Sequence, residues 1–443
     1  MTRPGGSLLR ILGLAFGLAV TIGNTIGAGI LRTPGDIAAL LPSPWMFIGI
    51  WLVGGLYALL GANALAELGT MMPRNGAQYV FARHAFGDYA GFLVGWMDWL
   101  STGAATGAIA TVIGESVSQL TRGNTTIVRP VAMAVVVIFT LLLIRGTKLS
   151  DIAQQVTSLL KTLALVALVA ACFAFAGNAH VIPTHPVAPS VGGFAAFLLA
   201  AQAVIYTFDG WNGAIYFSEE LDDPARQIPR SMFYGLLSIG LIYIAINLAF
   251  IYSVPVSALA GSPLAAATVA SALFGAKGEL IVRVIVVIAL PSAVNACLLM
   301  ASRVLNSVSR DGLGLPAASA VNGGGSPAVA LTIVTVVTLA FLATGTFNTM
   351  IAIAAFFFVG SYTLSFLAVF VLRRREPQVA RPYRAIGHPF TTGFVLLGSL
   401  AFLASAIVAD RRNSVYALAI VVVSYPVFRF TRPAAVPAPS VVE

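Results

Sequence analysis

The sequence predicts an all-α integral membrane protein of about twelve transmembrane helices, one domain over residues 1–443. Hydrophobic residues make up 58% of the chain and charged residues only 9%, against about 25% charged in a soluble domain. Apolar runs of about twenty residues, the length that crosses a bilayer, follow one another from end to end. Two of these runs are broken at mid-membrane by glycines and polar side chains, which lipid alone would not tolerate.

The first run, 8–31, follows Arg3 and Arg10, and its length and lack of a clear cleavage site make it a spanning helix rather than a signal peptide. Runs at 44–71, 89–120, 127–144 and 151–176 complete a first group, residues 8–176. Trp45, Trp51, Trp96 and Trp99 in this group read as interface anchors or packing, and Glu67, Asp98 and Glu115 as structural acids. A second group, residues 193–373, comprises 193–219, 230–253, 279–309, the short 329–344, and 348–373. Two additional helices, 390–409 and 413–430, precede a tail at 431–443.

With an even number of spans both termini share a side. Placing them inside divides Lys and Arg about seventeen to seven in favour of the inner loops, with Lys161 left within a span. Both termini are therefore expected in the cytoplasm, in a multi-pass protein of the cell membrane.

Other classes fit poorly. The net charge of +9 punctuates the apolar runs instead of gathering on one face, so no nucleic acid is implied. Cys172 and Cys297 sit in apolar runs without metal-ligand spacing and read as packing residues. His84, His180, His185 and His388 are scattered, so neither an enzyme's catalytic cluster nor a metal or cofactor site is expected. A channel would need a ring of similar polar residues along a pore, and none is visible.

The first break is Gly23-Asn24-Thr25-Ile26-Gly27-Ala28-Gly29. Each glycine costs a helix interior about 1 kcal/mol relative to alanine. One reading is a close helix crossing, because Gly23 and Gly27 have small-xxx-small spacing. The other is an unwound segment. The second break, Asp209-Gly210-Trp211-Asn212-Gly213, interrupts the sixth run. Matching interruptions in two halves point to a transporter's substrate site, and a second five-helix unit would enter from the opposite side, giving an inverted 5+5 repeat. In that arrangement the amides of Ala28, Gly29 and Ile30 open a half-helix and offer its positive end to a carboxylate. Carbonyls of Thr25, Ile26, Tyr206, Thr207 and Phe208 would accept from an ammonium group. Such a site suits a zwitterion. Tyr206, Phe208 and Trp211 flank the second break as a candidate lid.

An ionisable residue at mid-span costs about 2.5 to 3.5 kcal/mol, so each needs a purpose. Gln154, Thr157, Ser158 and Lys161 fall at i, i+3, i+4 and i+7, a polar stripe along one face of the fifth helix. Lys161 is either an ammonium capping another helix's carbonyls or a cation built in where a sodium-coupled carrier would hold its ion. Asp209 could contact a substrate ammonium, pair with a cation, exchange a proton or serve only as a hydrogen-bonding group.

Several segments together resemble one family. Thr25-Ile26-Gly27-Ala28-Gly29-Ile30 is similar to the first-helix glycine motif of the amino acid/polyamine/organocation superfamily. Ala66-Glu67-Leu68-Gly69 with Pro73-Arg74-Asn75-Gly76, Gly210-Trp211-Asn212 with Ser218-Glu219-Glu220, and Asp223-Pro224-Ala225-Arg226-Gln227-Ile228-Pro229-Arg230 follow in order. So do Ser302-Arg303, Ser309-Arg310-Asp311-Gly312 and Arg381-Pro382-Tyr383-Arg384. The chain looks most like the L-type amino acid transporter branch and its bacterial relatives. The resemblance implies a LeuT-type fold with helices 1 and 6 broken, and an exchanger or proton-coupled symporter of L-amino acids working by alternating access, with an amine or polyamine as the alternative solute. It also implies that first-helix amides hold the substrate carboxylate and that Tyr206 acts as a gate. Lys161 matches a lysine that substitutes for sodium, so transport would be sodium-independent, and Tyr243 and Asn295 fall at positions similar to site or gate residues. Two positions depart from the pattern, Asp209 where glycine is usual and Gly213 where the L-type branch has a larger residue. The loop between spans three and four lacks the cysteine that joins a heavy-chain partner, so none is expected.

Overall fold

The computed structural model describes residues 13–121, 123–178 and 193–431, and Arg3, Arg10, Arg122, His180, His185 and the tail from 432 onward lie outside them. Among the described residues every regular element is helical. The first half contains α1 Leu14–Thr25, α2 Gly29–Leu40, α3 Pro44–Met71, α4 Gln78–Phe86, α5 Asp88–Leu120, α6 Val128–Arg145 and α7 Thr147–Phe175. The second contains α8 Gly193–Phe208, α9 Pro224–Ser253, α10 Val256–Leu259, α11 Ala265–Phe274, α12 Ala276–Ala289, α13 Pro291–Arg310, α14 Ala328–Thr344 and α15 Phe347–Arg375, with α16 Phe390–Ala409 and α17 Arg411–Thr431 after them.

Ten segments are long and apolar enough to cross a membrane, so this is a multi-pass membrane protein. Two of the runs read from the sequence fall outside those ten. The 33-residue α5 is long enough but rich in glycine, serine and threonine, and α14 is apolar but only 17 residues long. Burial separates centre from periphery. The α12–α13 segment is 72% buried in its apolar window and the α1–α2 segment 61%, whereas α6, α16 and α17 are 22% buried and turn most of their apolar surface outward. Trp45 is 87% exposed at the start of α3, as an interface anchor would be, while Trp51 and Trp99 are packed inside.

Local sequence sets the boundaries. Pro44 and Pro224 occupy first-turn positions of α3 and α9, where a missing amide costs nothing. Asp223 accepts from the Arg226 amide and Thr346 from the Thr349 amide, capping α9 and α15. Several expected bounds shift. The first span continues past residue 31 to Leu40 as α2, because the break lies in its middle rather than near its end. The seventh span begins at Pro224, six residues before 230. The eighth, expected as one helix over 279–309, is two helices meeting at Leu290–Pro291, since a proline ring removes an amide and crowds the preceding turn. After the second break no α-helix resumes. Gly213–Phe217 form a 3-10 turn instead, followed by turn residues up to α9.

Candidate functional site

The two breaks lie against each other. α1 ends at Thr25, Ile26–Ala28 are unwound with the Gly27 amide turned back to the Thr25 carbonyl at 2.8 Å, and α2 starts at Gly29. α8 ends at Phe208, and Gly210 has φ +101°, a conformation that favours glycine. A Cβ on Gly210 would lie 2.3 Å from Asn24 Nδ2 and 3.0 Å from the Thr25 amide nitrogen, so the approach of one break to the other depends on its absence. Tyr243 in α9 ties them together, its hydroxyl donating to the carbonyls of Thr25 at 2.8 Å and Thr207 at 3.1 Å. Its ring packs edge-on against Trp51 and beside Phe208. The Thr207 hydroxyl also donates to Thr33 Oγ1 of α2 at 2.9 Å.

The polar stripe of α7 faces α1. Gln154 and Ser158 donate to the Ala19 carbonyl, and the Lys161 ammonium donates to the Gly23 carbonyl at 2.8 Å and to the Ile26 carbonyl. Lys161 is fully buried, and its positive charge sits at the negative end of α1. Gly23 allows the contact, since a Cβ there would come within 2.1 Å of Gln154 Nε2 and 2.6 Å of Ser158 Oγ. The two readings of the glycine pair thus divide between its members. Gly23 makes a close crossing with α7, and Gly27, with nothing nearer than 3.8 Å to a Cβ, lies in the unwound segment. Thr157 donates to the Gln154 carbonyl of its own helix at 3.4 Å.

Two cavities meet at the breaks. A small inner one of about 40 Å³ is lined by Asn24, Thr25, Gly27, Ala28 and Gly29 from the first break and by Tyr206, Thr207, Asp209, Asn212 and Tyr216 around the second. Thr102, Ala105 and Ile109 of α5, Cys297 and Met300 of α13, and Phe358 of α15 close it. A wider one of about 310 Å³ is lined by Arg32, Thr33 and Asp36 of α2, Gln202 of α8, Phe347 of α15, and Asp410 and Asn413 at the α16–α17 junction. Ala28, Gly29, Ile109 and Tyr206 border both, so Tyr206 stands at the constriction. Arg32 is held there by Glu115 at 3.1 Å and lies over the Phe347 ring at 4.0 Å.

Ion pairs gather at the other end. α15 runs from Phe347 at the wide cavity to Arg373, about 40 Å away at 1.5 Å per residue, where Arg373 and Arg381 hold the buried Glu67. Arg303 holds Glu220 at 3.1 Å with both side chains buried, and Asn75 also donates to Glu220 at 3.0 Å. Arg310 pairs with Glu219 at 2.5 Å. Arg74, Tyr79 and Arg83 converge on Asp311 at 2.8, 2.9 and 2.6 Å. Burial works to raise the pKa of the Asp311 carboxyl, but the hydrogen bonds from Arg74 and Tyr79 and the charges of Arg74 and Arg83 outweigh it, holding the carboxyl below its ordinary range.

Of the residues singled out from sequence, Thr25, Ala28, Gly29, Tyr206, Thr207 and Asp209 line the inner cavity. Ile26, Ile30, Phe208, Trp211, Asn295, Lys161 and Tyr243 are not on its wall. They support it instead. The Thr25, Ile26 and Thr207 carbonyls already accept from Tyr243 or Lys161, Asn295 donates to Gln154 at 2.8 Å, and Trp211 stacks on Tyr362 with ring centroids 5.3 Å apart. Sequence reasoning passed over the α5, α13 and α15 contributions. The small-residue stretch Ser101-Thr102-Gly103-Ala104-Ala105-Thr106-Gly107 was the available sign for α5, whereas Met300 and Phe358 carried none.

Comparison with known proteins adds a separate line. A family profile described as amino acid permease matches residues 8–428. The serine/threonine exchanger SteT of Bacillus subtilis (strain 168) is 26% identical, covering 97% of this chain and 98% of its own length. The Asc-type amino acid transporter 1 of Mus musculus is 28% identical over 85% of this chain and 73% of its own, and the b(0,+)-type amino acid transporter 1 of the same species is 25% identical over 91% and 84%.

Proposed function

This chain belongs to the amino acid permease family, and on that premise we propose that it carries a small L-amino acid across the cell membrane by alternating access, without sodium. The observation that carries the reading is the inner cavity. The first turn of α2 leaves amides without intrahelical partners, and Ala28 and Gly29 of that turn border the cavity opposite Asp209 and the end of α8. A carboxylate suits the amides and an ammonium suits the acid and carbonyls. A volume of about 40 Å³ favours a short side chain over a polyamine, in keeping with a relative that exchanges serine and threonine.

Alternating access has support in the two ends of the molecule, one open through the wide cavity and one latched by ion pairs. Twelve spans, counting α5 and α14 with the ten, would place the latched end and both termini in the cytoplasm, and would pair Leu14–Phe175 with Gly193–Arg375 as inverted repeats. Tyr206 then gates the substrate from the outer side, and Lys161 occupies with its ammonium a position between α1 and α7 that a sodium ion would otherwise fill. Mechanistically, substrate binding would draw α2 and α8 together over the cavity and loosen the latch, reopening the site inward. The loop from α5 to α6 carries no cysteine, which supports a solitary subunit.

Counterflow in sodium-free proteoliposomes tests this. Vesicles preloaded in turn with neutral, basic and acidic amino acids and with polyamines should show saturable serine uptake driven by the small neutral pool. Failure with every pool would sink the amino acid reading, and a strict need for sodium would sink the role given to Lys161.

A further inference from the structure

Glu67, Glu220, Asp98 and Asp209, buried or half-buried among the helices, divide into two kinds. Glu67 and Glu220, at the latched end, each hold arginine. Asp98 in the first third of α5 and Asp209 at the second break have no ion-pair partner among the described residues. Asp98 is 1% exposed, and both its oxygens accept from the Tyr216 hydroxyl, at 2.8 and 3.0 Å. Asp209 accepts from the Tyr362 hydroxyl, whose ring is clamped between Trp211 and Phe366. A carboxylate in such surroundings without a cation is too costly to keep as a bare charge, so it takes up either a cation or a proton.

Geometry distinguishes the two. Asp209 borders the inner cavity and is within reach of a substrate ammonium. Asp98 does not border it. Tyr216 does, and it stands between the cavity and Asp98. A hydroxyl can hand on a proton but cannot pass an ammonium group.

We propose that Asp98 is a proton-binding site, loaded from the inner cavity through Tyr216, and that its proton crosses the membrane together with the amino acid. The inference rests on the transport reading above and names the coupling ion for it. In the loading step the Tyr216 hydroxyl gives its proton to a carboxylate oxygen of Asp98 and takes one from hydronium in the cavity, which is left as water. The reverse transfer unloads it once the cavity opens to the other side.

The surrounding groups leave Asp98 this part. Tyr216 comes from the 3-10 turn, Asp209 from the break, Tyr362 from α15, Tyr206 from α8, Cys297 from α13 and Lys161 from α7. The one cation in that set, Lys161, is turned onto the carbonyls of α1. Among the other helices against α5, Tyr79 and Arg83 of α4 are engaged with Asp311, Arg283 of α12 with Glu279, and α14 has no titratable residue. α6 has arginines only at its ends, and Tyr416 and Tyr425 of α17 are exposed.

The experiment is serine uptake into sodium-free proteoliposomes that enclose a pH-sensitive dye, read as protons moved per serine. The parent protein should acidify the lumen as serine enters and, with the outside more acidic than the lumen, accumulate serine against its own gradient. Asp98→Asn should lower the proton-to-serine ratio at least fivefold, Asp98→Glu should restore it, and Tyr216→Phe, which removes only the relay hydroxyl, should slow acidification severalfold. Net serine uptake with no accompanying proton, or an unchanged ratio in Asp98→Asn, would overturn the inference and leave the transport reading standing. Absence of counterflow with every pool would overturn both.

Discussion

Lys161 holds the carbonyls of Gly23 and Ile26 where α1 stops, so one ammonium both satisfies freed backbone acceptors and neutralises a helix end. Hydrogen bonds to a charged donor contribute about 1.5 to 3 kcal/mol each, and the carbonyls are buried. Lys161→Ala should therefore lower the thermal midpoint of the detergent-solubilised protein by several degrees and abolish counterflow, with sodium partly restoring the variant and leaving the parent unaffected. Failure of sodium to help would show that the freed oxygens do not form a cation site. Cys297 offers a second residue-scale test. Its thiol donates to Asn24 Oδ1 at 3.1 Å and lines the inner cavity, whereas Cys172 does not. A small permeant methanethiosulfonate should block uptake in the parent, and saturating substrate should slow that block about fivefold or more. Equal inactivation of Cys297→Ala would refute it. Lys161 was legible in the sequence because a charge in an apolar run demands an account. Cys297, Met300, Phe358 and Ile109 were not, since an apolar residue facing a cavity and one facing lipid carry the same hydropathy.

At the scale of elements, the site is made by close approaches that glycine permits. Gly210 combines a positive φ with a Cβ position 2.3 Å from Asn24, so Gly210→Ala should cost about 1 to 3 kcal/mol and separate the breaks. Gly240, in α9 with nothing within 4 Å of a Cβ, is its control, and Gly240→Ala should be neutral or stabilising by about 1 kcal/mol. Equal thermal midpoints for the two variants would refute the account. Both breaks could be read beforehand because glycines and hydrogen-bonding side chains cluster where a lipid-facing helix has no use for them. The α7 stripe could be read because its spacing of three and four picks one helix face. The bend at Pro291 and the 3-10 run after Gly213 could not. A hydropathy window averages over a proline without registering its geometry, and Ala214-Ile215-Tyr216-Phe217 is as apolar in a 3-10 turn as in an α-helix. The first span ran past its expected end because Arg32, Pro34, Gly35 and Asp36 look like a loop, yet α2 carries them through, with Pro34 inside the helix and Arg32 paired to Glu115.

Across the whole molecule, the wide cavity lies at one end of α15 and the ion pairs at the other, and under the proposed alternating access the two ends would open in turn. The latch is not a pH switch at Asp311, whose carboxyl is held below the ordinary range. A depressed carboxyl contributes stability above its unfolded value, about 3.9, and loses it only as pH falls through the folded value, so this cluster stays charged throughout pH 5 to 8. A pH response in that window has to come from elsewhere. The pair Arg303–Glu220 is the member to remove, because both side chains are buried and Arg303 also lies over the Phe217 ring at 5.7 Å. Removing one partner of a buried pair costs about 3 to 5 kcal/mol, since the other charge is stranded, while replacing both with apolar residues can be close to neutral. Arg303→Met should therefore weaken the closed latch relative to the state in which Glu220 is solvated. Labelling of Cys297 by an impermeant thiol reagent applied from the latched side should then quicken at least tenfold, the response to about 1.4 kcal/mol of shifted equilibrium. The double variant Arg303→Met, Glu220→Leu should return labelling toward the parent rate, because no charge is left to draw water into the closed end. Slow labelling in both variants would mean that this pair only stabilises the fold, and fast labelling in both would mean that the charge on Glu220 is not what opens the latch.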